Sequence, residues 1–228
     1  MLTIAQVCDL YAYLYADTIP TPAGTWDFVW TVDGSYAALK RVDGIDYVMW
    51  RGSVTAIDWL QDFDLGAIPI HDDKLGWVHP GFVDGVRRII GWVNDKVGAH
   101  VVTVGHSLGA GHAAIYAGYR QADGLPVDQV IMFGEPRAGM STLATVLENT
   151  PIVSYRNMDA HGHDTICDVP PDIPFVTHYQ HPRALTDVSY SPPSSDPWGP
   201  FKFHHFFEYA MALGASGPAV QAIKPKGY

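Results

Sequence analysis

With only two cysteines in 228 residues, Cys8 and Cys167, the chain has no disulfide framework to hold its fold, and two free thiols are expected. There is no C-x-x-C pair, which argues against thiol redox chemistry and a cysteine-built zinc site. Cations are also sparse: 14 Lys and Arg stand against 24 Asp and Glu, for a net charge of −10 and a pI near 5.4. Nucleic acids and anionic membranes need clustered Lys and Arg, and no cluster appears, so neither is expected as a main partner. Long apolar runs are missing too. Each is broken short of the roughly 20 residues that span a bilayer, so no transmembrane segment is expected. Residues 1–17 lack the basic start and uniform apolar block of a signal peptide, and the reading is of a soluble chain.

What is present suits a packed core. Hydrophobic residues make up 47% and charged residues 17%, which excludes a disordered chain. A single domain over 1–228 is the expectation.

Ile4, Val7, Leu10, Tyr11 and Leu14 recur at helical spacing and predict an N-terminal helix ending before Pro20. Trp26 to Val32, Tyr36 to Val42 and Ile45 to Trp50 read as three strands joined by Asp33-Gly34 and Asp43-Gly44 hairpin turns. Phe82, Val86, Ile89, Ile90, Val93 and Val97 then share one face of a helix starting near Pro80. Alternating units follow: strand 101–104, helix 108–120, strand 129–133, helix 142–147, strand 151–155 and a last helix over 203–213. This order predicts an α/β fold whose central, mostly parallel sheet carries helices on both faces and an antiparallel N-terminal portion. Residues 170–200, rich in Pro, Ser and Asp, read as a long surface loop.

Gly105-His106-Ser107-Leu108-Gly109 fits G-x-S-x-G between a strand and a helix, where a sharp turn lifts a serine hydroxyl above the sheet edge. Side chains at 105 and 109 would collide with neighbouring backbone in so tight an elbow. A serine needs an imidazole to take its proton and a carboxylate to orient that imidazole. Asp164, after the strand ending near Tyr155, is the best placed acid, with Asp159 as rival. His205, opening the last helix, is the best placed base, with His204 beside it as rival. Asp159-Ala160-His161-Gly162-His163-Asp164 holds metal-ligating side-chain types, but no recognised ligand spacing accompanies it, and neither metal nor cofactor is expected.

Several blocks, in order, resemble the class 3 lipases, the fungal-type triacylglycerol lipases of the α/β-hydrolase superfamily. Trp50-Arg51-Gly52-Ser53 and Asp58-Trp59-Leu60-Gln61-Asp62 resemble the aromatic-R-G-[ST] block and the N-W-x-x-D that follows it. Val78-His79-Pro80-Gly81-Phe82 is similar to V-H-x-G-F, and Phe133-Gly134-Glu135-Pro136-Arg137-Ala138-Gly139 to F-G-x-P-R-x-G. The likeness covers roughly residues 45 to 210. It implies an α/β-hydrolase fold, and a serine hydrolase that cleaves lipid esters through an acyl-enzyme on Ser107, with Asp164 and His205. It also implies an oxyanion hole from the N–H groups of Ser53 and Leu108, with the Ser53 hydroxyl anchored by Asp62. A lid over 54–66 is implied, in which Val54, Ile57, Trp59 and Leu60 meet an apolar substrate such as a lipid–water interface presents. Departures are visible: Arg156 to Asp164 is longer than the family's usual spacing, and His204 stands where many members have Asp. A short-chain esterase, or a non-catalytic member that binds an acyl ligand or a protein, are the alternative readings.

Overall fold

The computed structural model describes residues 1–52, 68–173, 177–192 and 199–225. Helix α1 (Ile4–Tyr11) opens the chain behind a capping box in which Thr3 and Gln6 satisfy each other's backbone N–H groups. Strands β1 (Phe28–Val32), β2 (Ser35–Val42) and β3 (Ile45–Trp50) form the antiparallel meander. Both turns are two-residue hairpins: φ is 44° and 81° at Asp33 and Gly34, and 50° and 78° at Asp43 and Gly44. Positive φ at both central positions matches the right-handed twist of the flanking strands, which is why Asp-Gly serves here.

A small separate hairpin follows, β4 (Ile70–Asp72) with β5 (Gly76–Val78). The main sheet resumes with β6 (Val101–His106), β7 (Gln129–Phe133), β8 (Ile152–Asp159), β9 (Gly162–His163) and β10 (Thr186–Val188). Its order is β1-β2-β3-β6-β7-β8-β10, parallel from β3 onward, with β9 antiparallel on β8. Helices α2 (Pro80–Arg87), α3 (Ile90–Asn94), α4 (Leu108–Ala122), α5 (Ser141–Val146), α6 (Phe206–Ala212) and α7 (Pro218–Ala222) are found between and after the strands.

Alternation along the strands divides the core in two. Leu39, Val48, Trp50, Val101, Val130 and Met132 pack with Phe82, Val86 and Ala114 from α2 and α4. Their neighbours Ala38, Tyr47, Met49, Val102, Ile131 and Phe133 pack on the other face with Tyr11, Phe206 and Val220 from α1, α6 and α7. Strands covered on both faces read as continuous apolar runs, as VVTV and QVIMF do.

Two expectations are corrected. The helix expected to run from Pro80 to Val97 breaks at Ile89, whose φ of −128° and ψ of −7° leave helical geometry while its side chain stays buried. The stretch 170–200, expected to be all surface loop, contributes β10, which extends the sheet in parallel beside β8. Among the described residues no helix is long and apolar enough to cross a membrane.

Candidate active site

The elbow forms where β6 gives way to α4. Ser107 has φ 59° and ψ −130°, a conformation that costs a non-glycine residue about 1–3 kcal/mol and persists only where its surroundings enforce it. Here the Ser107 N–H donates to the Phe133 carbonyl at 3.0 Å, and the Ser107 carbonyl accepts from Ala110 N–H at 2.9 Å. Close approach explains the glycines. A Cβ on Gly109 would stand 1.9 Å from the Trp50 carbonyl oxygen, and one on Gly105 would stand 2.0 Å from the Gly109 oxygen. Leu108 begins α4, so its N–H belongs to the first turn that lacks intrahelical acceptors and points with the positive end of the helix dipole.

Asp164 sits after the β8–β9 hairpin and is fully buried. Its Oδ1 accepts from Ile166 N–H at 2.9 Å and caps a 3-10 turn, Thr165–Asp168. Its Oδ2 accepts from Tyr209 Oη at 2.5 Å and lies 2.6 Å from Nδ1 of His204. A carboxylate can only accept, so Nδ1 carries the hydrogen and, in the neutral ring, Nε2 of His204 holds the lone pair. That Nε2 is buried and has no hydrogen-bond partner among the described residues. The contact is therefore made by the first of the two adjacent histidines. His205, preferred on sequence grounds, takes the N-cap position of α6 with an extended ψ of 132° and is 8% exposed.

The end of β7 passes directly beneath this pair. A Cβ on Gly134, whose φ is 54°, would stand 2.6 Å from Asp164 Oδ2 and 2.8 Å from the His204 ring. The glycine of F-G-E-P-R is thereby explained.

A second chain of contacts reaches the elbow from the other side. Gly52 N–H donates to Tyr15 Oη at 3.0 Å, and Tyr15 Oη donates to Nδ1 of His106 at 3.0 Å. Nε2–H of His106 then donates to the His204 carbonyl at 2.9 Å, and the two imidazoles stack with centroids 4.7 Å apart. Burial first, then the neighbouring His204, holds the His106 pKa well below 6.5, which keeps the ring in the neutral form this chain requires. Gly52 lies against Ser107, since a Cβ there would stand 3.1 Å from Cβ of Ser107.

The remaining candidates separate. Asp159 caps its own hairpin, its Oδ1 accepting from His161 N–H at 2.7 Å. His163 Nε2 lies 2.8 Å from Asp168 Oδ2 instead of gathering with His161 and Asp164. Among the described residues no three metal-ligating side chains come together. Ser53, Asp62, Val54, Ile57, Trp59 and Leu60 lie outside the described residues. Sequence reasoning did not find Tyr209, Tyr15 or the roles of His106 and Gly134. Tyr209 carried one signal, its place four residues after His205 in the last helix.

Residues 47–173 match the model of the family described as Lipase (class 3). Over 156 residues the chain is 28% identical to "Secreted mono- and diacylglycerol lipase 1" of Fusarium solani, covering 65% of this chain and 45% of that protein. It is 26% identical to "Lipase" of Rhizomucor miehei over 158 residues, 63% of this chain and 42% of that protein. The chain thus spans about half the length of the curated relatives it matches. The native Rhizomucor miehei lipase propeptide complex has the same fold, with a TM-score of 0.62 at 22% identity over 82% of this chain and 69% of that one. The lipase from Rhizopus microsporus var. chinensis has it as well, at 0.59 and 19% over 82% and 75%.

Proposed function

The chain belongs to the class 3 lipase family, and on that premise we propose that it hydrolyses carboxylic esters, acylglycerols or similar lipid esters, through an acyl-enzyme on Ser107. Ser107 Oγ attacks the ester carbonyl carbon as Nε2 of His204 takes its proton. On the strength of the family resemblance, the resulting oxyanion is assigned the N–H groups of Leu108 and Ser53 and the Ser53 hydroxyl as donors, with Asp62 assigned to hold that hydroxyl. Each such donor stabilises the transition state by about 3–4 kcal/mol. His204 next returns the proton to the departing alcohol, and the carbonyl reforms as the acyl-enzyme. Water then repeats the sequence on the acyl group, with His204 as base, and frees the acid. Asp164 fixes the tautomer of His204 and stabilises its charged form.

The observation that carries this reading is the fully buried Asp164 carboxylate 2.6 Å from Nδ1 of His204, because it commits Nδ1–H to the acid and leaves Nε2 as the ring atom that can take a proton. Burial of a carboxylate and an imidazole costs free energy, and catalysis is the use that repays it. Val54, Ile57, Trp59 and Leu60, within 54–66, are assigned to a lid on the strength of the family resemblance. Exposing such an apolar face is favourable at a lipid–water interface, which is where we expect the enzyme to act.

The test is hydrolysis of an ester series from acetate to oleate, below and above the solubility limit, with Ser107→Ala as control. Rates that rise with chain length and jump at the solubility limit are expected. Activity confined to acetate and butyrate sinks the lipid-ester reading, and an active Ser107→Ala sinks the mechanism.

A further inference from the structure

Glu135, the variable residue of F-G-E-P-R, follows Gly134 into the protein and is fully buried. Neither carboxylate oxygen has a hydrogen-bond partner among the described residues. His181 faces it: Nδ1 stands 3.4 Å from Oε2, close enough for an ion pair but not aligned as a hydrogen bond. The other ring nitrogen of His181, Nε2, lies 2.8 Å from the carbonyl of Cys167 and must donate to it. Cys167 is in the turn that Asp164 caps, and its N–H donates to the Asp164 carbonyl at 3.3 Å.

We propose that His181, held as an imidazolium against buried Glu135, is a positioning residue for Asp164. It clamps the 164–168 turn to the end of β7 and gives the activity a loss on the alkaline side. This rests on the assignment of Asp164 and His204 made above.

A neutral imidazole that donates through Nε2 would turn the lone pair of Nδ1 toward the carboxylate. The protonated ring instead offers a hydrogen to each neighbour, and the counter-charge offsets the cost of burying Glu135. Burial pulls the His181 pKa down, but Glu135 and then the Cys167 carbonyl outweigh it, and the value is raised above 6.5. The other charged groups nearby are Arg137, which opposes the imidazolium, and Asp168. Arg137 grips the same turn with its own N–H to the Val169 carbonyl at 2.7 Å and Nη1 to the Asp168 carbonyl at 2.9 Å. A guanidinium is not deprotonated in proteins, so His181 is the part of the clamp that titrates. Its contribution is full below 6.5 and is lost as pH rises through the raised value.

The test compares pH profiles of kcat and KM for wild type, Glu135→Gln, His181→Gln and the double variant, with the His181 ring titrated by NMR in the wild type. The expected NMR midpoint lies above 6.5. Glu135→Gln should move the alkaline limb of kcat down by about 1 pH unit or more, the size of an opposite-charge effect at this range. His181→Gln should lower kcat by about tenfold with KM little changed, and the double variant should match it. Identical profiles in wild type and Glu135→Gln, or a midpoint at or below 6.5, overturn the proposal. An inactive wild type with a high midpoint defeats the esterase reading and leaves the ion pair standing, so the two failures are distinguishable.

Discussion

Tyr15→Phe removes one oxygen atom and tests how the turn at Gly52 is joined to the elbow. The ring and its contacts remain, edge-on to His106 at 5.7 Å and against Phe206 at 6.1 Å. What is lost is the hydroxyl that accepts from Gly52 N–H and donates to His106 Nδ1, both at 3.0 Å. Orphaning a buried polar group costs about 1–3 kcal/mol, and the two groups here share a partly buried environment, so a combined loss of about 2 kcal/mol is expected. With a urea slope of about 2 kcal/mol per M, the unfolding midpoint should fall by about 1 M with the slope unchanged. Ser53 follows Gly52 directly, so a looser turn should also slow acylation of Ser107, by about tenfold for each 1.4 kcal/mol of misplacement. Urea melts and the rate of fluorophosphonate labelling give both numbers. An unchanged midpoint together with an unchanged labelling rate refutes the reasoning that this bridge holds the oxyanion turn.

Asp164→Asn should keep the fold and lower kcat by about 10⁴-fold, because an amide no longer selects the Nδ1–H tautomer of His204; a loss under tenfold contradicts its role. Gly109→Ala should give little soluble folded protein, since its Cβ would stand 1.9 Å from the Trp50 carbonyl oxygen; a variant with wild-type circular dichroism and melting temperature refutes the close-approach argument. Stability should fall as pH drops below 6.5, because His106 and His112 are buried neutral, with the His112 pKa lowered to about 3 by burial. Each contributes fully above the unfolded value and loses about 1.4 kcal/mol per pH unit below it, until the folded pKa is reached. A urea midpoint that is flat from pH 6.5 to 5 contradicts this.

Features set by local stereochemistry were legible in the chain. Asp33-Gly34 and Asp43-Gly44 specify hairpins because few other pairs accept positive φ twice, and both hairpins are found. The elbow glycines followed from the tightness of the turn. Features set by distant partners were not legible. The strand β10, Thr-Asp-Val, has no apolar alternation to announce it, and its side-chain tie to the sheet is the Arg156–Asp187 ion pair at 2.8 Å. Its partner strand is about thirty residues earlier in sequence, outside the window of about 11–18 residues in which periodicity is read. The choice between His204 and His205 is of the same kind. It depends on where α6 begins, and α6 is anchored by Tyr209, whose hydroxyl binds Asp164 while accepting from Asn157 N–H. No local pattern in Phe203-His204-His205-Phe206 encodes that phase.

The most direct test of the account is the rate at which a fluorophosphonate labels Ser107 in wild type, His204→Ala and His205→Ala, with the adduct located by mass spectrometry. The account predicts a single adduct on Ser107, lost by a factor of about 10³ or more in His204→Ala and largely retained in His205→Ala. Loss in His205→Ala with labelling retained in His204→Ala contradicts the base assigned from the Asp164 contact, and an adduct elsewhere contradicts the nucleophile itself.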